Sequence, residues 1–183
     1  MSRLAWIVIL ILSIHTTTGC KKNASKSGGS RTVANADFNT EKTDSPVKDR
    51  IVLQAKQMYK SIQNGDFETM ADATHPSIID MLGGRAAYVK TTRDLMTELK
   101  ISNFNCGVPS DPVGGGSELF SVIPTTGNIS DGKDINVSFN GGLIAISSDG
   151  GQTWKFLDTA GFKKDMTRLK QMLPNFPSGL TLP

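Results

Sequence analysis

Asp72 and His75 are the two side chains whose types and spacing suggest acid–base chemistry. They lie three positions apart, so both could occupy one face of a helix. A carboxylate beside an imidazole orients the ring and stabilises the imidazolium, so the neutral ring becomes a stronger base. The alternative is that His75 ends a helix and bonds its last carbonyl groups, where a cation is stabilised. The sequence favours this structural role, because no complete enzyme motif accompanies the pair.

Other catalytic or ligand-binding chemistry has little support. Cys20 and Cys106 are too few for a disulfide framework or a zinc cluster, and we expect Cys106 to be a small buried hydrophobe. His15 lies in the N-terminal leader, so His75 is the one imidazole of the mature chain, which excludes a His-rich metal site. The net charge of +3 is too balanced for nucleic-acid binding. We therefore predict no metal, no cofactor and no nucleic-acid partner.

Residues 1–20 have the pattern of an export signal. Arg3 provides a positive start, and residues 4–14 form an apolar run too short to span a bilayer core of about 30 Å. The segment ends in Gly19-Cys20 and resembles a bacterial lipoprotein signal peptide. The resemblance implies cleavage before Cys20 and lipidation of its sulfur. An ordinary secretory signal or an uncleaved anchor is the alternative.

Residues 21–45 are rich in Ser, Thr, Asn, Gly and Lys and contain one aromatic side chain. Such a segment buries too little apolar surface to fold alone. We expect it to be a flexible tether that holds a folded domain, residues 46–183, away from a membrane. Together with lipidated Cys20, this organisation predicts a lipid-anchored protein of the bacterial cell envelope that faces the periplasm or the exterior.

The elements that must position Asp72 and His75 are predicted to be helices followed by strands. Helical spacing of apolar residues predicts helices near 47–64, 67–74, 76–82 and 85–100, with a break at His75-Pro76. Period-two alternation predicts strands near 103–108, 118–124, 135–146 and 154–159. The apolar spacing of residues 162–173 predicts a short final helix. The sequence therefore predicts an α+β fold.

Two glycine-containing segments predict how the strands connect. Asp131-Gly132 indicates a tight hairpin turn. Residues 140–142, Asn-Gly-Gly, could form another hairpin or bend one long strand at a glycine bulge. We favour the bent strand, because a sheet that wraps around helices needs such a bend.

The segment 147–154, SSDGGQTW, matches the Asp-box pattern Ser-any-Asp-any-Gly-any-Thr-Trp. By this resemblance Asp149 accepts hydrogen bonds from backbone amides of its own loop, and Trp154 packs beneath the loop. Ser147 and Thr153 support the same turn. Asp boxes are frequent in sialidase-like propellers, but those proteins repeat the unit in each blade. One copy in 183 residues predicts a structural turn.

The order of elements resembles the NTF2-like (SnoaL-like) superfamily. The resemblance covers about residues 46–173 and rests on residues 64–67, Asn-Gly-Asp-Phe, the corner Thr74-His75-Pro76, the long helix and the sheet. It implies a cone in which a curved antiparallel sheet wraps around the N-terminal helices and encloses a pocket. In such a cone Tyr59, His75 and Tyr88 are candidates to bind a small apolar ligand, and the sheet face is a candidate homodimer surface.

Two functional hypotheses follow. The first is a membrane-tethered module that binds a small ligand or a protein partner without catalysis. The second is a small-molecule isomerase or lyase that uses His75 and Asp72 as a pair in the pocket. We favour the first, since function cannot be inferred from fold alone and the sequence carries no catalytic motif.

Overall fold

The computed structural model describes residues 45–133, 135–162 and 165–183. The predicted signal peptide and the tether up to residue 44 lie outside these residues. The described chain has an α+β fold, which confirms the predicted class. Its elements are α1 Pro46–Gln63, α2 Phe67–Ala73, α3 Pro76–Met81, α4 Arg85–Glu98, β1 Lys100–Cys106, β2 Val113–Gly115, β3 Glu118–Ser130, β4 Asn136–Ser147, β5 Lys155–Asp158 and α5 Met166–Met172.

Local capping chemistry explains the ends of the helices. Pro46 occupies the first turn of α1, where the missing N–H costs no hydrogen bond. Gly65 follows α1 at φ +72°, a backbone conformation that glycine adopts without strain. The Asp66 side chain then caps α2 by accepting from the Thr69 N–H at 3.1 Å. The predicted end of α4 near residue 100 is wrong, because Lys100 already pairs with β3.

The strands form one curved, open antiparallel sheet in the order β1-β3-β4-β5. The first residues of β3 pair with β2 and its last residues pair with β1 along the same edge. On its other edge β3 pairs with β4 in a register that continues from Leu119↔Ser147 to Ser130↔Asn136. The predicted hairpin turn is confirmed, since the Asp131 carboxylate accepts from the Lys133 and Ile135 amides at 2.8 and 2.9 Å.

Three strand predictions need correction or refinement. β4 is one strand, as favoured, but its continuous pairing leaves no bulge at residues 140–142. The register shift lies instead in β1, between Ser102 and Asn105, where Asn103 has φ +51°. β1 ends at Cys106, so Val108 lies beyond the strand and is 50% exposed. β2, which lies in a glycine-rich segment, is absent from the predicted strands.

Both faces of the sheet carry an apolar layer. On one face, here called the helical face, Ile123, Leu143 and Phe156 pack against the buried stripe of α1. On the opposite face, here called the C-terminal face, the sheet residues pack against α5 and the segment that follows it. The members of this second layer are Phe120, Val122, Ile144, Ile146, Leu157, Phe162, Leu169, Leu173 and Phe176. The C-terminal tail is therefore packed against the sheet.

Two glycines allow the tail to approach the sheet closely. A Cβ atom at Gly115 would overlap the main-chain oxygen of Asn175, and one at Gly142 would overlap the ring of Pro183. The absence of a side chain at these positions lets the tail lie directly on the strands. The tail therefore covers the apolar half of the C-terminal face.

Candidate functional site

His75 lies at the corner between α2 and α3, beside the edge strand β5. Its backbone N–H donates to the Phe156 carbonyl at 2.9 Å. Its imidazole Nδ1 accepts from the Ser77 N–H at 3.3 Å and lies 2.8 Å from the Ser77 hydroxyl oxygen. The ring therefore caps the start of α3, and it does not bond the last carbonyl groups of α2 as the structural alternative expected.

Asp72 and His75 do not share a helix face, because α2 ends at Ala73. The Asp72 carboxylate accepts instead from Arg85 Nη1 at 2.6 Å, in an exposed cluster that includes Glu68. The structure thus gives each member of the proposed pair a different partner. The sequence separation suggested a common face only on the assumption that one helix continued through residue 75.

The two candidate tyrosines are both core residues. Tyr59 stacks on Phe104 with ring centroids 3.3 Å apart, between α1 and the helical face of the sheet. Burial, with smaller contributions from nearby charges, raises the pKa of Tyr59 well above its ordinary value. The Tyr88 hydroxyl lies 2.8 Å from Thr74 Oγ1 in a buried hydrogen bond, and burial raises its pKa as well.

Cys106 is a partly buried free thiol. Burial raises its pKa to about 11, so the reactive thiolate form is disfavoured at neutral pH. Within residues 45–133, 135–162 and 165–183, His, Cys, Asp and Glu side chains do not gather in a group of three or more that could hold a metal ion.

The Asp-box segment has the hydrogen bonds that the motif predicts. Asp149 Oδ1 accepts from the Gln152 and Thr153 amides at 3.0 and 2.9 Å, and Oδ2 accepts from the Thr153 hydroxyl at 2.5 Å. These bonds hold the pKa of Asp149 well below its ordinary value, with the Thr153 side chain making the largest contribution. Ser147 Oγ donates to Asp149 and accepts from the Gly151 amide. Trp154 is 2% exposed and donates its indole N–H to Gly151.

Two polar residues of α1 hold this turn from outside, and sequence reasoning missed both. Arg50 Nη1 donates to the Gly151 carbonyl at 2.8 Å. The Gln54 amide group donates to the Gln152 carbonyl at 3.1 Å and accepts from the Trp154 N–H at 2.8 Å. The available signal was a pair of polar residues one helical turn apart at the border of the buried stripe of α1.

The uncovered half of the C-terminal face forms an ordered polar surface, here called the polar array. Directly paired residues on β1, β3 and β4 share one face of the sheet, so pairing register places nine side chains in three rows. The rows are Lys100–Ser130–Asn136, Ser102–Asn128–Ser138 and Asn105–Thr126–Asn140. Within the array Ser138 Oγ donates to Asn128 Oδ1 at 2.9 Å.

The predicted pocket residues Tyr59, His75 and Tyr88 do not line the depression found on α5. One shallow depression of about 330 Å³ lies on α5 and is lined by Met166, Thr167, Lys170 and Gln171. Among the described helices, none combines the length and apolar character needed to cross a bilayer.

Comparison with known proteins returns no significant similarity to a family model, a curated protein or a solved structure.

Proposed function

We propose that this chain is a lipid-anchored bacterial envelope protein whose NTF2-like domain acts as a protein-interaction module. The domain assignment is supported by the order of four helices and a curved sheet, with helices packed on one sheet face. The covering of the opposite face by α5 and the tail is a departure from a simple cone. Lipidation of Cys20 is supported by the sequence pattern of residues 1–20.

A protein partner fits the geometry better than a small ligand in the cone. Tyr59 and Phe104 stack in the space where a pocket is expected, and Tyr88 is hydrogen-bonded within the core. His75 and Asp72 bond Ser77 and Arg85, respectively, so the isomerase or lyase hypothesis receives no support from a shared site.

The observation that carries the proposal is the polar array. Its side chains are hydroxyls and amides apart from Lys100, which lies in an end row. Asn, Ser and Thr each carry donors and acceptors, so this surface is self-complementary under a two-fold axis. The central row contains no charge, and two copies can therefore meet without placing like charges together at the centre. A second copy of the chain is the proposed partner.

The oligomeric state of the full chain, purified from membranes in detergent, tests this proposal. Sedimentation over a range of protein concentrations should detect a dimer that Ser138→Arg weakens at least about ten-fold, because two extra charges meet at the centre of the contact. Ser148→Arg, at an exposed position of the Asp-box turn, is the matched control and should leave the dimer intact. A strictly monomeric wild-type chain, or equal effects of the two variants, would overturn the proposal.

The anchor is tested separately by mass spectrometry and membrane fractionation. The wild-type chain should carry a diacylglycerol adduct on Cys20 and sediment with membranes, whereas Cys20→Ser should lose both properties. Retention of the adduct mass in Cys20→Ser would contradict the assignment.

A further inference from the structure

Helix α3 connects three parts of the molecule around the outer edge of β5. Thr74, just before it, forms a parallel bridge with Phe156, and the His75 amide bonds the Phe156 carbonyl. Ile78 contacts both the apolar cluster beneath α4 and the layer on the C-terminal face. Arg168 of α5 lies 3.1 Å from the Met81 sulfur. This six-residue helix therefore lies where the N-terminal helices, the edge strand β5 and the apolar layer on the C-terminal face meet.

The start of α3 depends on an imidazole nitrogen that accepts hydrogen bonds. The Ser77 amide donates to His75 Nδ1, and an imidazole nitrogen accepts only when it carries no proton. The neutral ring with its proton on Nε2 is thus the form that caps the helix. Unlike the usual capping residues Ser, Thr, Asp and Asn, this cap changes its hydrogen-bonding character near neutral pH.

Proton uptake at Nδ1 converts this acceptor into a donor. The Ser77 hydroxyl, 2.8 Å away, can rotate and accept from the new N–H. The Ser77 amide cannot reverse its role, so it loses its partner. The positive imidazolium also lies at the N-terminus of a helix, where cations are disfavoured. A helix of six residues has little intrinsic stability with which to offset these losses.

We propose that His75 is an acid-sensitive latch, in which protonation of the ring removes the cap of α3 and loosens this helix from β5, α4 and α5. This control of the domain's conformation is independent of the polar array and its partner.

Burial and the nearby charged groups determine the direction in which the pKa of His75 shifts. Burial lowers the pKa of His75, and Glu118 at the start of β3 opposes this by favouring the charged ring. Lys155 of β5 bonds the Asp72 carbonyl, and Asp72 is paired with Arg85. The other charged residues on the adjoining elements are Glu68 on α2, Asp80 on α3 and Asp158 on β5. Those on the neighbouring helices are Lys90, Arg93, Asp94 and Glu98 on α4, and Arg168 and Lys170 on α5.

The lowered pKa predicts the pH range of the latch. The unfolded chain binds the proton more readily than the folded chain does. The cap therefore contributes its full stability above the ordinary histidine pKa of about 6.5. That contribution is lost as the pH falls from there through the lower pKa of the folded state.

Amide hydrogen exchange of α3 in the full chain, followed together with the imidazole signal by NMR, tests the latch. Between pH 7.5 and pH 5, protection of the α3 amides should fall about five-fold in the wild type, the factor expected when one N-cap is lost. The midpoint of this loss should coincide with the titration of His75. The imidazole signal is assigned by its disappearance in the variant below, since His15 is the other histidine of the chain.

His75→Asn is the matched variant, because asparagine caps a helix through its side-chain oxygen and does not titrate in this range. Its α3 protection should be independent of pH, and that of His75→Ala should be low at both pH values. The proposal is overturned if His75→Asn and wild type show the same pH dependence. It is equally overturned if the wild-type loss of protection does not track the His75 titration, a comparison that needs no variant.

Discussion

Gln54 bridges the Asp-box turn to α1 by bonding both sides of one peptide segment. Its side-chain nitrogen donates to the Gln152 carbonyl, and its oxygen accepts from the Trp154 N–H, at 3.1 and 2.8 Å. The Gln54 amide group thus pairs with one donor and one acceptor of the turn backbone, which lies outside the sheet. The Asp149 carboxylate stabilises the turn from within, and Gln54 of α1 stabilises it from outside.

Replacing Gln54 with methionine should destabilise the protein by about 1–3 kcal/mol, because the part-buried Trp154 N–H loses its acceptor. Denaturant unfolding followed by tryptophan fluorescence measures this change. Gln57→Met is the matched control, since Gln57 lies on the same helix and is exposed; it should change stability by less than about 0.5 kcal/mol. Equal losses in the two variants would show that the bridge contributes nothing.

Asp149→Asn should lower stability and flatten its dependence on acid pH. Because folding lowers the pKa of Asp149, its contribution is present above the ordinary carboxyl pKa of about 4 and is lost as pH falls below that value. Thermal unfolding from pH 7 to pH 2 should show this acid limb in the wild type and a shallower one in the variant. Asp94→Asn, in an exposed pair with Lys90, is the control. An unchanged acid limb in Asp149→Asn would contradict the prediction.

Gly115→Ala should destabilise the domain by about 1–3 kcal/mol, because the new methyl group overlaps the Asn175 carbonyl and the Phe120 ring. The tail must then shift away from β2. Gly114→Ala introduces the same methyl group into the same strand, where no atom lies within 4 Å, and should be nearly neutral. Chemical denaturation compares them, and amide exchange of residues 173–182 reports on the tail. A Gly115→Ala variant as stable as Gly114→Ala would mean that the tail does not lie against this strand.

Tyr88→Phe should cost about 0.5–1.5 kcal/mol, since it removes the buried hydrogen bond to Thr74. Tyr59→Phe is the comparison, because it keeps the ring stack on Phe104 and removes a hydroxyl that makes no hydrogen bond to the described residues. It should leave stability nearly unchanged. Equilibrium unfolding measures the stability of both variants, and a larger loss of stability in Tyr59→Phe would contradict the assigned roles.

Local structure was predictable from the sequence where a few neighbouring residues determine it. The Asp66 cap, the Asp131 turn and the Asp149 turn all depend on side chains that bond amides at most four residues away. The helix break at His75-Pro76 likewise follows from proline sterics. The same local logic failed at the start of β1, where the sequence assigns Lys100 to the preceding helix although it pairs with β3.

The candidate site was less predictable, because its outcome depends on contacts between distant segments. Asp72 pairs with Arg85, thirteen positions away, rather than with His75. Arg50 and Gln54 look like ordinary exposed helix residues until the Asp-box turn is placed beside them. The polar array is also invisible without the strand register, since its three rows join residues from three separate strands.

The hydrogen bond between the Trp154 N–H and the Gln54 side chain also has a kinetic consequence, because it closes a loop of 100 residues. Contacts of such long range form late in folding, since most of the chain must be ordered before they become favourable. Until β4 and β5 are in place, the apolar stripe of α1 lacks part of the sheet on which it packs. We therefore expect the rate-limiting barrier to involve docking of α1 onto the nearly complete sheet. Folding intermediates should expose this N-terminal helix to chaperones and proteases.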